Sequence, residues 1–175
     1  MSKVKKIDKY LNIIDLIRYA LICFVIFSII FTFFIRIEYV VGDSMDPVLK
    51  NGQIVISNAM PWNIHDVDRF DLVVVKSKKN NEYWVKRVIG LANETIEYKD
   101  NKLYINGKYV KEDFLDKDVI TYDMPKYQIA KDEVFLVGDN RDVSKDSRLV
   151  GAFKIDAILS KGVMVIYPLN QIGIR

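Results

Sequence analysis

Residues 19–35, YALICFVIFSIIFTFFI, form seventeen consecutive positions without a charge, and this run constrains the chain more than any other feature. The hydrocarbon core of a bilayer asks for about 20 apolar residues in a helix, with a range of roughly 17–25. Ile17 and Ile37 extend the run, because Arg18 and Arg36 can snorkel toward the headgroups. Ser28 and Thr32 are polar, and a helix satisfies their hydroxyls on its own carbonyls. Lys3, Lys5, Lys6, Lys9 and Arg18 precede the span, and the positive-inside rule then puts the N-terminus in the cytoplasm and the rest outside. The expected division is a basic cytoplasmic N-terminus over 1–16, a transmembrane helix over 17–37 and an extracytoplasmic β domain over 38–175. A cleavable signal peptide is a competing reading, but the exit FFIRIEYVVG is bulky where cleavage needs small residues. A lipoprotein signal would end at its cysteine, whereas the run continues past Cys23. A buried core helix would be unusually long.

Charge separates the two parts further. Residues 1–36 carry six basic and two acidic side chains, a net of +4, so the remaining twenty basic and twenty-one acidic groups leave −1 on residues 37–175. A nearly neutral main domain argues against a nucleic-acid partner. Half of the residues are hydrophobic and 28% are charged, which excludes an intrinsically disordered chain. One cysteine, Cys23, excludes an internal disulfide framework and a multi-Cys zinc site; one histidine, His65, excludes a multi-His metal site. No metal and no cofactor are expected.

Short runs at 53–57 (QIVIS), 71–76 (DLVVVK), 83–89 (YWVKRVI), 95–98 (TIEY), 102–105 (KLYI), 134–137 (VFLV) and 162–167 (GVMVIY) are rich in residues that favour strands. Asn106-Gly107, between LYI and KYV, is a type I′ hairpin signal, since both turn positions need positive φ. These runs predict a mostly β domain with Greek-key or barrel-like packing. Residues 111–131 show no period and read as an excursion from the β core.

The absence of a Walker-A loop and of G-x-G-x-x-G leaves nucleotide binding unsupported. A Ser-His-Asp triad would have to use His65, which reads as an exposed loop residue. Three segments carry more. In Val41-Gly42-Asp43-Ser44-Met45-Asp46-Pro47, Gly and Pro shape a turn that can expose the Ser44 hydroxyl; an ordinary turn serine is the plain alternative. In Tyr83-Trp84-Val85-Lys86-Arg87-Val88-Ile89-Gly90, strand alternation puts Lys86 on one face with Trp84 and Val88. Burial there without a carboxylate partner would lower the lysine pKa and make a neutral base; a snorkelling strand lysine is the alternative. Residues 138–151 (GDNRDVSKDSRLVG) crowd Asp, Asn, Arg and Ser behind an apolar strand, as in a network of mutual hydrogen bonds.

Together these segments resemble type I signal peptidase, the membrane-bound serine endopeptidase family that removes signal peptides. Its four boxes stand in order here: Gly42-Asp43-Ser44-Met45-Asp46-Pro47, then Arg69-Phe70-Asp71-Leu72-Val73-Val74, then Tyr83 to Gly90 around Lys86, then residues 138–151. The short length and single span look like the Gram-positive form. The resemblance implies a fold shared with the SOS-repressor-type self-cleaving proteins, and shallow subsites for small residues before the cleaved bond. It implies Ser44 as nucleophile and Lys86 as general base, Ser144 orienting the lysine nitrogen, Asp146 and Arg148 as a supporting ion pair, and Asp139 and Arg87 as a second pair. Gly42, Ser44 and Met45 would lie at the oxyanion and substrate-binding positions. The implied partners are preprotein signal peptides and the lipid bilayer, with the enzyme a monomer in the cell membrane. Met45 and Met60-Pro61-Trp62 could dip into the interface, with ordinary packing equally open for the Trp62 cluster.

Some departures bear on geometry. Gly42 stands where some relatives have a serine hydroxyl in the oxyanion hole, Phe70 where Gly is common, and Leu91-Ala92-Asn93-Glu94 where many have a Pro-Gly-acidic turn. Two other classes compete. A non-catalytic membrane-tethered assembly factor would be expected to lack Ser44 or Lys86. A self-cleaving regulator would need a partner domain, and the first 36 residues are spent on the membrane.

Overall fold

The structure, a computed structural model, describes residues 2–59, 66–77 and 82–175, with side chains from residue 13 onward. Met60, Pro61, Trp62 and His65 lie outside the described residues. The chain divides into two compact units, one ending at Ile35 and one spanning Arg36–Arg175.

The first unit is the helix α1, Ser2–Phe34. Its part Ile13–Phe34 has a mean hydropathy of 2.4, and the helix is long and apolar enough to cross a membrane. Leu16, Phe24 and Phe33 are exposed on different sides, so the helix is apolar all round, as a span in lipid is and a half-buried surface helix is not. Helix runs unbroken through residue 16 and gives way to strand at Ile35, where the sequence had placed the end of the span at 37.

The second unit is mostly β, as the runs of β-branched and aromatic residues predict. Its strands are β1 (Ile35–Tyr39), β2 (Ile54–Asn58), β3 (Leu72–Lys76), β4 (Tyr83–Gly90), β5 (Thr95–Lys99), β6 (Lys102–Ile105), β7 (Lys108–Val110), β8 (Met124–Gln128), β9 (Glu133–Val137), β10 (Phe153–Lys154), β11 (Ile158–Tyr167) and β12 (Gly173–Ile174). Among the described residues they make an eight-stranded sheet ordered β1-β2-β11-β3-β4-β9-β10, with β12 on β11, and a four-stranded sheet ordered β7-β6-β5-β8. A single turn of helix, α2 (Ser147–Val150), sits between β9 and β10.

Alternation along the strands sorts the core. Val73, Val75, Val88, Val134, Leu136 and Phe153 pack together from the large sheet. Ile89, Phe135 and Val137 point the other way, against Ile96, Tyr98, Leu103 and Ile105 of the small one. With both faces covered, the central strands β3 and β9 are continuous apolar runs. Each such side chain contributes roughly 1.5–3 kcal/mol on burial.

The turns follow their residues. Asn106 (φ 51°) and Gly107 (φ 76°) make the expected hairpin between β6 and β7. Phe70 adopts φ 76°, a conformation that glycine takes freely and other residues rarely do. It is held there by its N–H on the Val88 carbonyl (2.7 Å) and by Arg87 Nη1 donating to its carbonyl (2.8 Å). Asn93 takes φ 65° in the turn after β4, and asparagine tolerates that region. The Glu94 carboxylate closes the same turn, accepting from the Leu91 N–H at 2.7 Å and from Arg69 at 2.5 and 3.0 Å. Residues 111–131 are not wholly irregular, since β8 lies within them and pairs with β5.

Candidate active site

Ser44 lies on the turn between β1 and β2, and its neighbours fix that turn. Met45 and Leu49 are buried with Val40, Val55, Val163 and Val165. The Leu49 N–H donates to the Met45 carbonyl at 2.9 Å. The incoming chain is laced to residues 51–53: Val40 N–H to Gln53 O (2.8 Å), Gly52 N–H to Val40 O (2.9 Å) and Gly42 N–H to Asn51 Oδ1 (3.1 Å). Ser44 itself stays half-buried at the surface. Gly42 has φ 86°, which favours glycine.

Lys86 lies on β4, opposite Val73 of β3, and is 3% exposed. Its Nζ donates to Ser44 Oγ at 2.6 Å. When the amine is neutral the same contact reverses, with the hydroxyl donating into the nitrogen lone pair. Burial lowers the Lys86 pKa from its ordinary value to about 8. Asp146 and Asp139 pull it back up and Arg148 adds to the lowering. The sequence reading had Lys86 among apolar neighbours without a carboxylate; the structure brings two carboxylates within electrostatic reach, and burial still prevails.

The polar loop after β9 forms the floor. A Cβ on Gly138 would lie 2.1 Å from Ser144 Oγ and 2.4 Å from the Ser44 carbonyl oxygen, so no side chain fits there. The Asn140 N–H donates to the Ser44 carbonyl and the Ser144 N–H to the Asn140 carbonyl, both at 3.1 Å. The Ser44 N–H has no partner among the described residues.

Ser144 is buried and its Oγ makes no hydrogen bond. It comes near enough to Asp146 to help hold that carboxylate ionised, short of hydrogen-bond geometry. Lys86 is bonded to Ser44 rather than to Ser144 in this state.

Asp146 and Arg148 pair through Nε to Oδ1 (2.9 Å) and Nη2 to Oδ2 (2.8 Å). Burial pushes the Asp146 carboxyl up, but Arg148 and the Gly138 N–H (3.0 Å) outweigh it and hold it below the usual range. Asp146 also caps α2, accepting from the Arg148 N–H at 3.1 Å.

Arg87 and Asp139 form the second pair, Nε to Oδ1 at 2.8 Å and Nη2 to Oδ2 at 2.6 Å, with side chains 8% and 1% exposed. The Phe114 ring stacks on the Arg87 guanidinium at 4.1 Å. Removing one partner strands a buried charge, so Asp139→Ala is expected to destabilise the domain by about 3–5 kcal/mol. Thermal unfolding of the detergent-solubilised chain checks this, and an unchanged midpoint would contradict it.

A groove of roughly 480 Å³ opens on Ser44 and Lys86, lined among others by Val41, Met45, Tyr83 and Val85. Met45 is 2% exposed and acts chiefly as an anchor. Among the described residues, no group of three or more His, Cys, Asp or Glu is arranged to hold a metal ion. Sequence reasoning missed Asn51, which takes the Gly42 N–H, and Ser147, whose Oγ accepts the Leu136 N–H at 2.9 Å.

Residues 13–167 match the protein family described as signal peptidase, peptidase S26. Signal peptidase I P of Bacillus subtilis subsp. natto is 35% identical over 96% of this chain and 96% of its own length. Signal peptidase IB of Staphylococcus aureus (strain COL) is 34% identical over 91% of this chain and 92% of its own. A crystal structure of a signal peptidase I from Enterococcus faecalis V583 aligns with 54% of this chain and 94% of its own, at 32% identity and a TM-score of 0.49.

Proposed function

The chain belongs to the S26 signal peptidase family, and we propose that it cleaves preproteins with Ser44 as nucleophile and neutral Lys86 as general base. It is a membrane serine endopeptidase that removes signal peptides. The observation that carries the assignment of roles is the 2.6 Å contact between the buried Lys86 amine and Ser44 Oγ. A nucleophile within hydrogen-bond reach of a base of suitable pKa is the arrangement acyl transfer needs.

In the proposed reaction Ser44 Oγ attacks the scissile carbonyl carbon, and its proton moves to Lys86 Nζ. The tetrahedral oxyanion accepts from the Ser44 N–H. The intermediate collapses by breaking the C–N bond, and the Lys86 ammonium returns the proton to the leaving amine. Water then enters, gives a proton to Lys86 as it attacks the ester, and Ser44 leaves with that proton. Ser144, unpartnered in the resting state, takes the role of orienting the neutral Lys86 amine toward the attacking water while the ester stands. Asp146 and Arg148 hold the loop that carries Ser144, and Arg87 with Asp139 holds the strand that carries Lys86.

Gly42 supplies neither a hydroxyl nor its N–H, which Asn51 occupies. The oxyanion therefore leans on the Ser44 N–H. One lost donor of this kind costs about 10²–10³ in rate elsewhere.

The N-terminus is placed in the cytoplasm and the catalytic unit outside, by the excess of Lys and Arg before the span. Preprotein and enzyme then share one membrane surface, which raises their effective concentration.

The pH dependence tests the role of Lys86. The reactive form is the neutral amine and its pKa is about 8. Below that value kcat/KM for a fixed preprotein is expected to fall tenfold per pH unit, and above it to level off. A profile flat from about pH 6 to pH 8 would remove Lys86 as the base.

A further inference from the structure

Residues 111–121 hold no part of the Ser44–Lys86 pair, yet their side chains reach the loop that shapes it. The Arg141 side chain is 1% exposed and that of Glu112 10%. Arg141 Nη2 donates to Glu112 Oε1 at 2.6 Å, and Nη1 donates to Thr121 Oγ1 at 2.7 Å and to the Tyr98 hydroxyl at 3.2 Å. Tyr98 in turn donates to Glu112 Oε1 at 3.1 Å. Arg141 Nε donates to the Gly138 carbonyl at 3.2 Å. The Arg141 carbonyl accepts from Arg148 Nη2 at 3.0 Å, and Asp146, the partner of Arg148, takes the Gly138 N–H at 3.0 Å. Gly138 is thus held at both its N–H and its carbonyl.

Gly138 is also the residue whose missing side chain lets the Ser44 carbonyl and Ser144 Oγ approach. A planar guanidinium orients all its donors together, so the acceptors at one end fix the direction of Nε at the other. Water cannot replace a lost acceptor around a group this buried. We infer that Glu112 and Thr121 are positioning residues for the Ser44–Lys86 pair, acting through Arg141 on the Gly138 peptide. The inference rests on the proposed reading of Ser44 and Lys86 as nucleophile and base. It gives residues 111–121 a part in the reaction that their distance from the motifs conceals.

The test uses the detergent-solubilised full chain and one preprotein. Thr121→Val keeps shape and removes the acceptor. It is expected to lower kcat about three- to tenfold with KM within about twofold, and Thr121→Ser to restore kcat. Glu112→Gln is expected to cost about ten- to a hundredfold in kcat, as displaced reacting groups do. In an Arg141→Lys background, Thr121→Val should have little further effect, because its route is already broken. Unfolding midpoints show that each variant is folded at the assay temperature. Unchanged kcat in both folded variants, or losses that simply add to that of Arg141→Lys, would overturn the inference. Ser44→Ala run alongside separates the two claims. Loss of cleavage in Ser44→Ala with full activity in both Glu112→Gln and Thr121→Val sinks only the positioning role, and activity retained in Ser44→Ala sinks the reading beneath it.

Discussion

Ser44→Ala is expected to lower kcat for preprotein cleavage by about 10⁶, with KM little changed, as loss of the nucleophile does in other serine peptidases. The change removes one oxygen and leaves the turn intact. Met45 and Leu49 still anchor it in the core, the Asn140 N–H still holds the Ser44 carbonyl, and Asn51 still holds Gly42. Unfolding should therefore move little, and the loss should fall on chemistry. Single-turnover cleavage of a preprotein measures it. A drop of only a few-fold would mean that another group attacks.

Lys86→Arg is expected to be almost as damaging, a fall of about 10⁵–10⁶ in kcat, although it keeps the positive charge. A guanidinium does not deprotonate in proteins, so it cannot accept the Ser44 proton. It also replaces a compact amine in a site where Lys86 is 3% exposed. Lys86→Met separates these effects, keeping a linear side chain without a base. Both variants should lose cleavage alike, and the double variant Ser44→Ala/Lys86→Met should be no worse than either single one, because the two residues act as a unit. Activity in Lys86→Arg within about tenfold of the parent would place the base elsewhere.

What could be read from the residues themselves was local. The Asn106-Gly107 hairpin was legible because its turn demands positive φ at both positions, and few residues supply it. Alternation along 83–89 put Lys86 on one face with Trp84 and Val88 and left burial and snorkelling both open; the structure buries it, as it does Arg87 on the other face. Non-local contacts were legible only through the family resemblance, which implied the Ser44–Lys86 and Arg87–Asp139 pairs. Nothing near Lys86 in sequence tells that Asp139 and Asp146 stand close enough to raise its pKa. β1 (IRIEY) was hidden because Ile35 to Ile37 also read as the end of the span, with Arg36 snorkelling to the headgroups. β8 (MPKYQ) contains a proline, which a strand tolerates at a sheet edge, and β8 is the last strand of the small sheet. The positive φ of Phe70 was not legible either, because it is held by non-local hydrogen bonds at both its N–H and its carbonyl.

Cleavage of signal peptides from preproteins rests, in the proposed reaction, on Ser44 and Lys86 together. The most direct measurement incubates a secreted preprotein with the detergent-solubilised protein, with Ser44→Ala and with Lys86→Met, and sequences the N-terminus of any product. One new N-terminus, following a small-x-small motif, is expected from the parent protein and none from either variant. The same N-terminus released at the parent's rate by both variants would contradict the proposed reaction.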